Sequence, residues 1–291
     1  MTQTTMPKIA PERAAGPSIG ETTDLMVTGR RTRSTGARVR NVLLAVWLPI
    51  ALLVIWWFAS ASSTSPFFPP LSSIVAEFWA QWIVGDAAMQ LTSSLRNLAF
   101  GYLGGALIGV VFGTLLWRFP PVRHVSNPLI YFLYVLPAPA LLPAMIALFG
   151  IGELRQIALI SFGAIWPTLL NTLDGMRSID QVKFDTARAM KLSPLRQLFS
   201  LVLPAAAPQM AAGLRASLQT SIILMVVTEM VAAKQGIGYF ILQAQTVFAI
   251  TTMWTGILVL AILGTVLNYL FVGVERLVLR WYYRSRALSN S

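Results

Sequence analysis

Six apolar stretches separated by polar breaks organise this chain, each long enough, at roughly 20 residues, to cross a bilayer as a helix. They run over about Asn41–Ala59, Leu91–Trp117, Pro128–Leu148, Gln156–Leu173, Pro208–Ala232 and Thr252–Val274. Ahead of them, residues 1–40 are polar, with Gly, Pro, Ser and Thr scattered and no sustained apolar period. That pattern predicts a disordered tail. It also lacks the early apolar segment of a cleaved signal peptide. The domain reading is a tail over 1–40 and a transmembrane domain over 41–286.

Several stretches carry finer signals. Between the first two spans, Pro66 to Pro70 is predicted to be non-helical. Val75, Phe78, Trp79 and Trp82 then recur at helical spacing, which predicts an aromatic-faced helix at the membrane interface. The second span carries Gly101, Gly105, Gly109 and Gly113, one glycine every four residues. Such a smooth stripe lets another helix approach closely, and a pore lining is the alternative. Asn127 and Pro128 read as N-cap and first position of the third span. That span holds Pro137, Pro139 and Pro143, which predicts a broken helix beside a translocation path or, alternatively, a simple kink.

The fifth span carries Arg215, Gln219 and Glu229. Arg215 and Gln219 are four apart and share a face. Arg215 and Glu229 lie about 21 Å apart along the axis, so they cannot pair within one helix. Polar groups in a span face the bundle interior or a cavity, which leaves structural ion pairing, snorkelling and a place along a path all open. The Lys234–Gly238 segment, with Gly236 and Gly238, breaks the chain, and a short helix through Phe240, Ile241 and Ala244 follows.

The longest polar break after the tail, Met176 to Pro208, has its own helix signals. Ser178 and Gln181 are spaced as a capping box. Asp180 stands near the start of that helix and Arg188 and Lys191 near its end, as the helix dipole favours. Ser193-Pro194 reads as N-cap and first position of a second short helix through Leu195, Leu198, Phe199 and Val202, ending at Pro204. Two amphipathic helices between spans are either a docking element presented to a partner or an ordinary ordered loop.

Composition agrees with an all-α polytopic membrane protein: 56% of the 291 residues are hydrophobic, 11% are charged, and mean hydropathy is +0.67. The formal charge of +11 belongs to topology rather than to nucleic acid, for which there is no motif. With six spans and the N-terminus in the cytoplasm, 18 of the 22 Lys and Arg fall on the cytoplasmic side. Arg155 and Lys234 fall outside, and Arg96 and Arg215 lie within spans. Both termini are therefore expected in the cytoplasm. There is no cysteine and a single histidine, His124, expected in a solvated loop, so thiolate chemistry and a multi-histidine metal site are excluded. No phosphate-loop motif, nucleophile elbow or H-E-x-x-H pair occurs, which leaves transport as the function class and no cofactor for this chain.

Asp185-Thr186-Ala187, followed by Leu201-Val202-Leu203-Pro204, resembles the EAA loop of permease subunits in bacterial binding-protein-dependent ABC importers. That pattern reads Glu-Ala-Ala, a glycine four residues after the second alanine, then Ile-x-Leu-Pro or similar. The likeness extends over about 64–281. It includes the Pro69 turn, Ser94-Leu95-Arg96, Pro137 with Ala140-Leu141-Leu142-Pro143, Phe149-Gly150-Ile151-Gly152, and Glu229 with Gly236-Ile237-Gly238. Together these are similar to the nitrate, sulfonate and taurine branch. Two departures stand out. Asp185 and Thr186 replace Glu and Ala, and Lys191 stands where the family has glycine. If that position is left-handed, lysine costs roughly 1 kcal/mol or more.

The resemblance implies a type I importer-like permease, about six spans with a cytoplasmic coupling-helix loop at about 177–204, in the bacterial plasma membrane. It implies two ATPase subunits that bind ATP and Mg, a second permease copy, most simply a homodimer, and an extracytoplasmic solute-binding protein. ATPase coupling would fall to Asp185, Ala187, Arg188, Met190, Lys191, Leu192 and Leu195. Asp185 would meet a basic group while Met190, Leu192 and Leu195 fill an apolar notch. Pro137, Pro143, Arg215, Gln219, Glu229, Gly236 and Gly238 would lie along the path. Arg96 or Arg215 would suit an anionic substrate such as a sulfonate. The reading from another class is an ion-coupled secondary carrier or channel, which leaves the ordered loop unexplained; a structural membrane anchor is the third.

Overall fold

The computed structural model describes residues 35–282, with side chains described from Trp47 onward. The chain divides into two units, 1–49 with Ser291 and 50–290. The first is described only as the opening part of helix α1 (Thr35–Ser60); the rest of the fold belongs to the second. The expected tail therefore lies outside the described residues up to 34, and residues 35–40, expected within it, are helical.

Among the described residues every regular element is helical. α2 is Leu71–Phe78, α3 Ala88–Arg118, α4 Pro120–Val135, α5 Leu142–Phe149, α6 Glu153–Arg177, α7 Gln181–Ala189, α8 Pro194–Gln197, α9 Leu203–Met230, α10 Ile237–Thr246 and α11 Ile250–Val278. Four helical rods are long and apolar enough to cross a membrane: α3, α6, the run Pro194–Met230 that joins α8 to α9, and α11. α4 and the Ala138–Phe149 stretch that contains α5 reach that length and hydropathy only together and are bent by 90° at the break, the form of a broken span or a re-entrant loop. The sixth expected span falls in α1, whose described apolar part, Trp47–Ser60, is shorter than a span.

The core is α3, α6 and α9. Gly101, Gly105, Gly109 and Gly113 all face α6, where a Cβ on each would collide with Ile160, Ser161 and Ala164, Thr168, or Thr172. Without side chains at these four positions the two helices touch backbone to side chain along four turns. Gly163, Gly175 and Gly213 bring α6 and α9 together in the same way, and Thr168 Oγ1 hydrogen-bonds Ser217 Oγ at 3.0 Å between them. The surface is apolar where a soluble protein's would be polar: Phe100, Leu103 and Leu107 on α3 and Tyr269 and Leu270 on α11 are all exposed. This is a multi-pass membrane architecture.

Several local expectations change. The third span begins at Pro120 rather than Pro128, because Pro120 and Pro121 occupy the first turn, where a missing N–H costs nothing. Pro128 is interior and His124 is helical. The break falls at Pro137, followed by a 3₁₀ turn over Ala138–Leu141. α2 does not present one aromatic face. Trp82, in a π-helical turn over Trp79–Val84, is buried, donates to Thr255 Oγ1 at 3.0 Å and packs edge-on against Phe240, while Val75 and Trp79 are exposed. The second short helix does not stop at Pro204. A π-helical turn over Leu198–Val202 carries it straight into α9, with Pro204 in that helix's first turn.

Candidate functional site

Two polar constructions lie at opposite ends of the α6–α9 pair. One is the loop between the two helices, residues 178–193. Asp180, not Ser178, caps α7: its Oδ1 accepts from Val182 N–H at 3.0 Å, whereas Ser178 Oγ donates back to the Gly175 carbonyl. A short Asx-type reach from the residue next to the helix displaces the capping box. α7 ends in a Schellman motif. Leu192 N–H donates to Ala187 C=O at 3.1 Å and Lys191 N–H to Arg188 C=O at 2.9 Å. Lys191 is left-handed, with φ 52°. It therefore occupies the conformation that glycine adopts without penalty, at a cost of about 1 kcal/mol. Ser193 then caps α8 through Arg196 N–H.

The loop is fixed from beneath by Ala187, which is buried, and by Phe184 and Leu198 packed against Met176, Val202 and Trp117. Its other face is bare. Met190 is 67% and Leu195 71% exposed, Leu192 is half-buried, and Asp185 forms an exposed ion pair with Arg188 at 3.3 Å. Of the expected coupling residues, then, Ala187 faces the protein, Leu192 is intermediate, and Asp185, Arg188, Met190, Lys191 and Leu195 face outward. A cavity of about 490 Å³ opens beside them, lined by Trp117, Arg118, Phe184, Arg188 and Leu195 among others.

At the other end, the turn from Val231 to Gly238 joins α9 to α10. Three side chains accept from its three consecutive N–H groups: Gln90 from Gly236 at 2.8 Å, Ser94 from Ile237 at 2.9 Å and Glu229 from Gly238 at 2.9 Å. These are the otherwise unpaired donors at the start of α10, and a carboxylate suits that helix end. Gly236 has φ 121°, and a Cβ there would meet the Glu229 carboxylate oxygens at 2.6 and 2.7 Å. Glu229 is fully buried.

Arg155 completes the construction. Expected outside the membrane in water, it is 0% exposed. Its guanidinium donates to the carbonyls of Val231 at 2.9 Å and of Thr228 and Ala232 at 3.3 Å, one an unpaired acceptor in the last turn of α9 and two in the chain just past it. Among the described residues no carboxylate lies within 4.0 Å of it. The buried guanidinium sits at a helix C-terminus, facing the partial charge that stabilises it, and the buried Glu229 carboxyl at a helix N-terminus.

The remaining predicted residues are dispersed. Arg215, half-buried, donates to Asn268 Oδ1 on α11 at 3.2 and 3.3 Å, and Gln219 one turn on is exposed. Pro137 and Pro143 are exposed at the α4–α5 break. Arg96 pairs with Glu153. Next to that pair, a cavity of about 260 Å³ reaches between Asn97, Gln156 and Lys234. Sequence reasoning missed Arg155, Gln90 and the amide pair Asn97–Gln156, at 2.5 Å. Two polar residues at matching depths of α3 and α6 were the one signal available for that pair.

The family described as "Binding-protein-dependent transport system inner membrane component" matches residues 105–281. The chain is 29% identical over 252 residues to the taurine transport system permease protein of Escherichia coli K12, covering 84% of this chain and 91% of that one. It is 29% identical over 236 residues to a putative aliphatic sulfonates transport permease protein of Bacillus subtilis, covering 80% and 86%. To a nitrate import permease protein of Synechococcus elongatus it is 30% identical over 223 residues, covering 72% and 80%. In fold it is similar to a chain of an inward-facing MetNI methionine ABC transporter, with a TM-score of 0.60 at 20% identity, covering 68% of this chain and 97% of that one. The matched span takes in three of the four stripe glycines, the broken helix, the loop and the Val231–Gly238 turn, and the chain belongs to the family of inner-membrane components of binding-protein-dependent transport systems.

Proposed function

We propose that this chain is the permease subunit of an ATP-driven ABC importer that passes a small anion, a sulfonate or a related species, through the membrane. The observation that carries the reading is the loop between α6 and α9: self-capped, anchored from beneath, and bare on the face turned away from the spans. Such a surface suits a protein partner. In this reading α7 and α8 enter a cleft of a separate ATPase, with Asp185 and Arg188 meeting charged groups and Met190 and Leu195 filling an apolar notch. Two ATPases carry the ATP and Mg, and a second copy of this chain completes the path. A solute-binding protein delivers the substrate at the opposite face. Both termini lie in the cytoplasm, with the basic residues of the tail, the loop and the C-terminal end.

The path runs along the exposed break at Pro137 and Pro143 and past Gln219. Glu229, Gly236 and Gly238 shape its outer end rather than line it, and Arg215 braces α9 against α11. The anionic substrate class is supported by the relatives, whose printed substrates are sulfonates, taurine and nitrate. The test is Asp185→Lys in the reconstituted complex. Substrate-stimulated ATP hydrolysis is expected to disappear while membrane insertion persists. Unchanged stimulation would remove Asp185 from coupling.

A further inference from the structure

The buried guanidinium of Arg155 has a consequence beyond capping. α6 and α9 are joined covalently at one end by the 178–193 loop, and each runs uninterrupted to the other end. α6 has 25 residues and the Pro194–Met230 rod 37. At about 1.5 Å per residue, α6 spans about 37 Å. At the far end Arg155, near the start of α6, holds three carbonyls at the end of α9. Between the two ends, Gly163, Gly175 and Gly213 keep the helices in close contact. The pair is therefore closed at both ends.

We infer that Arg155 is a positioning residue that makes α6 and α9 a single rigid body, so that a displacement of the loop is delivered undiminished to the Val231–Gly238 turn. One side chain next to the turn helps to hold its shape, Glu229, whose carboxyl accepts from Gly238 N–H at 2.9 Å, but two residues of the turn sit at positive φ. Ala232 is left-handed at φ 57°, where an alanine pays about 1–2 kcal/mol, and Gly236 sits at φ 121°. Remote groups supply the other side-chain bonds: Gln90 and Ser94 from α3, and Arg155 from α6. A desolvated cation with no carboxylate partner is expensive to retain inside a membrane protein. Its three charge-assisted bonds to one helix end identify what it is retained for. Without it, the end of α9 and its following turn can lag behind α6 when the loop moves.

This inference rests on the permease reading, and the test separates the two. The intact complex of this chain with its ATPase, in nanodiscs, is compared as wild type, Arg155→Gln and Arg155→Lys. Hydrogen exchange is followed in peptides covering 228–238 and 203–216, and ATP hydrolysis is measured with and without taurine and hexanesulfonate as probe substrates together with the cognate binding protein. In Arg155→Gln, exchange over 228–238 is expected to rise at least tenfold while 203–216 is unchanged, and substrate stimulation of ATP hydrolysis to fall at least fivefold. Arg155→Lys, which keeps charge and donors, restores at least half of both. The inference is overturned if 228–238 exchanges at the wild-type rate in Arg155→Gln, or if 203–216 accelerates equally, since that is general loosening of the fold. It is also overturned if stimulation stays at the wild-type level in Arg155→Gln. A wild-type complex that contains no ATPase overturns the permease reading instead, whatever the exchange data show.

Discussion

The two ends of the α6–α9 pair are built on opposite principles. At the loop end, hydrogen bonds are local: Asp180 to Val182, Ser193 to Arg196, Lys191 to Arg188, and Asp185 paired with Arg188 three residues on. At the turn end, apart from Gly238 N–H to Glu229, they are remote, from Gly236 N–H to Gln90, Ile237 N–H to Ser94 and the Arg155 guanidinium to the Val231 carbonyl. The first surface is exposed, whereas Gly236–Gly238 and the Ser94, Arg155 and Glu229 side chains that hold the second are buried. A surface that holds its own shape can leave its outer face free for a partner. A turn held from two other helices, α3 and α6, can only move with them.

That contrast predicts where substitutions hurt most. Gly236→Ala drives a Cβ into the Glu229 carboxylate at a positive φ, and should cost about 3 kcal/mol or more. Thermal unfolding in detergent would show it as a large loss of folded protein; a melting temperature within a degree of wild type would refute the packing described. Gly109→Leu, which forces α3 off Thr168 and the Ile165 carbonyl, should cost about 2–3 kcal/mol in the same assay.

The loop should tolerate more. Asp180→Ala removes one exposed cap and should cost about 1 kcal/mol, read as faster hydrogen exchange confined to α7. Lys191→Gly goes the other way. It relieves the left-handed lysine and should slow exchange across 187–192 by a factor equivalent to about 1 kcal/mol. Exchange there that is faster than in wild type would show that the strain argument fails.

The same contrast explains what could be read from the sequence. The loop's second cap, Ser193-Pro194, and its basic end were visible because their partners are a few residues away. Even the miss there was local, Asp180 capping where Ser178 had been expected. The broken third span was visible because proline's effect is on its own backbone. Pro204 misled because the π-helical turn before it carries the helix through. Glu229 with the Gly236–Gly238 segment is legible as part of the family resemblance, but the carboxyl's bond to Gly238 N–H is not. Arg155 was counted among charges in water because its acceptors lie about 75 positions further along, and carbonyls have no sequence signature.

The central claim is that the bare face of the loop carries an ATPase. The most direct measurement is affinity purification of the tagged chain from its native membrane, intact and with residues 181–196 deleted, with identification of what co-purifies. The account predicts an ATPase subunit with the intact chain and its loss from the deletion variant, which still inserts in the membrane. An intact chain that purifies with no nucleotide-binding partner, or an ATPase retained equally by the deletion variant, would contradict it.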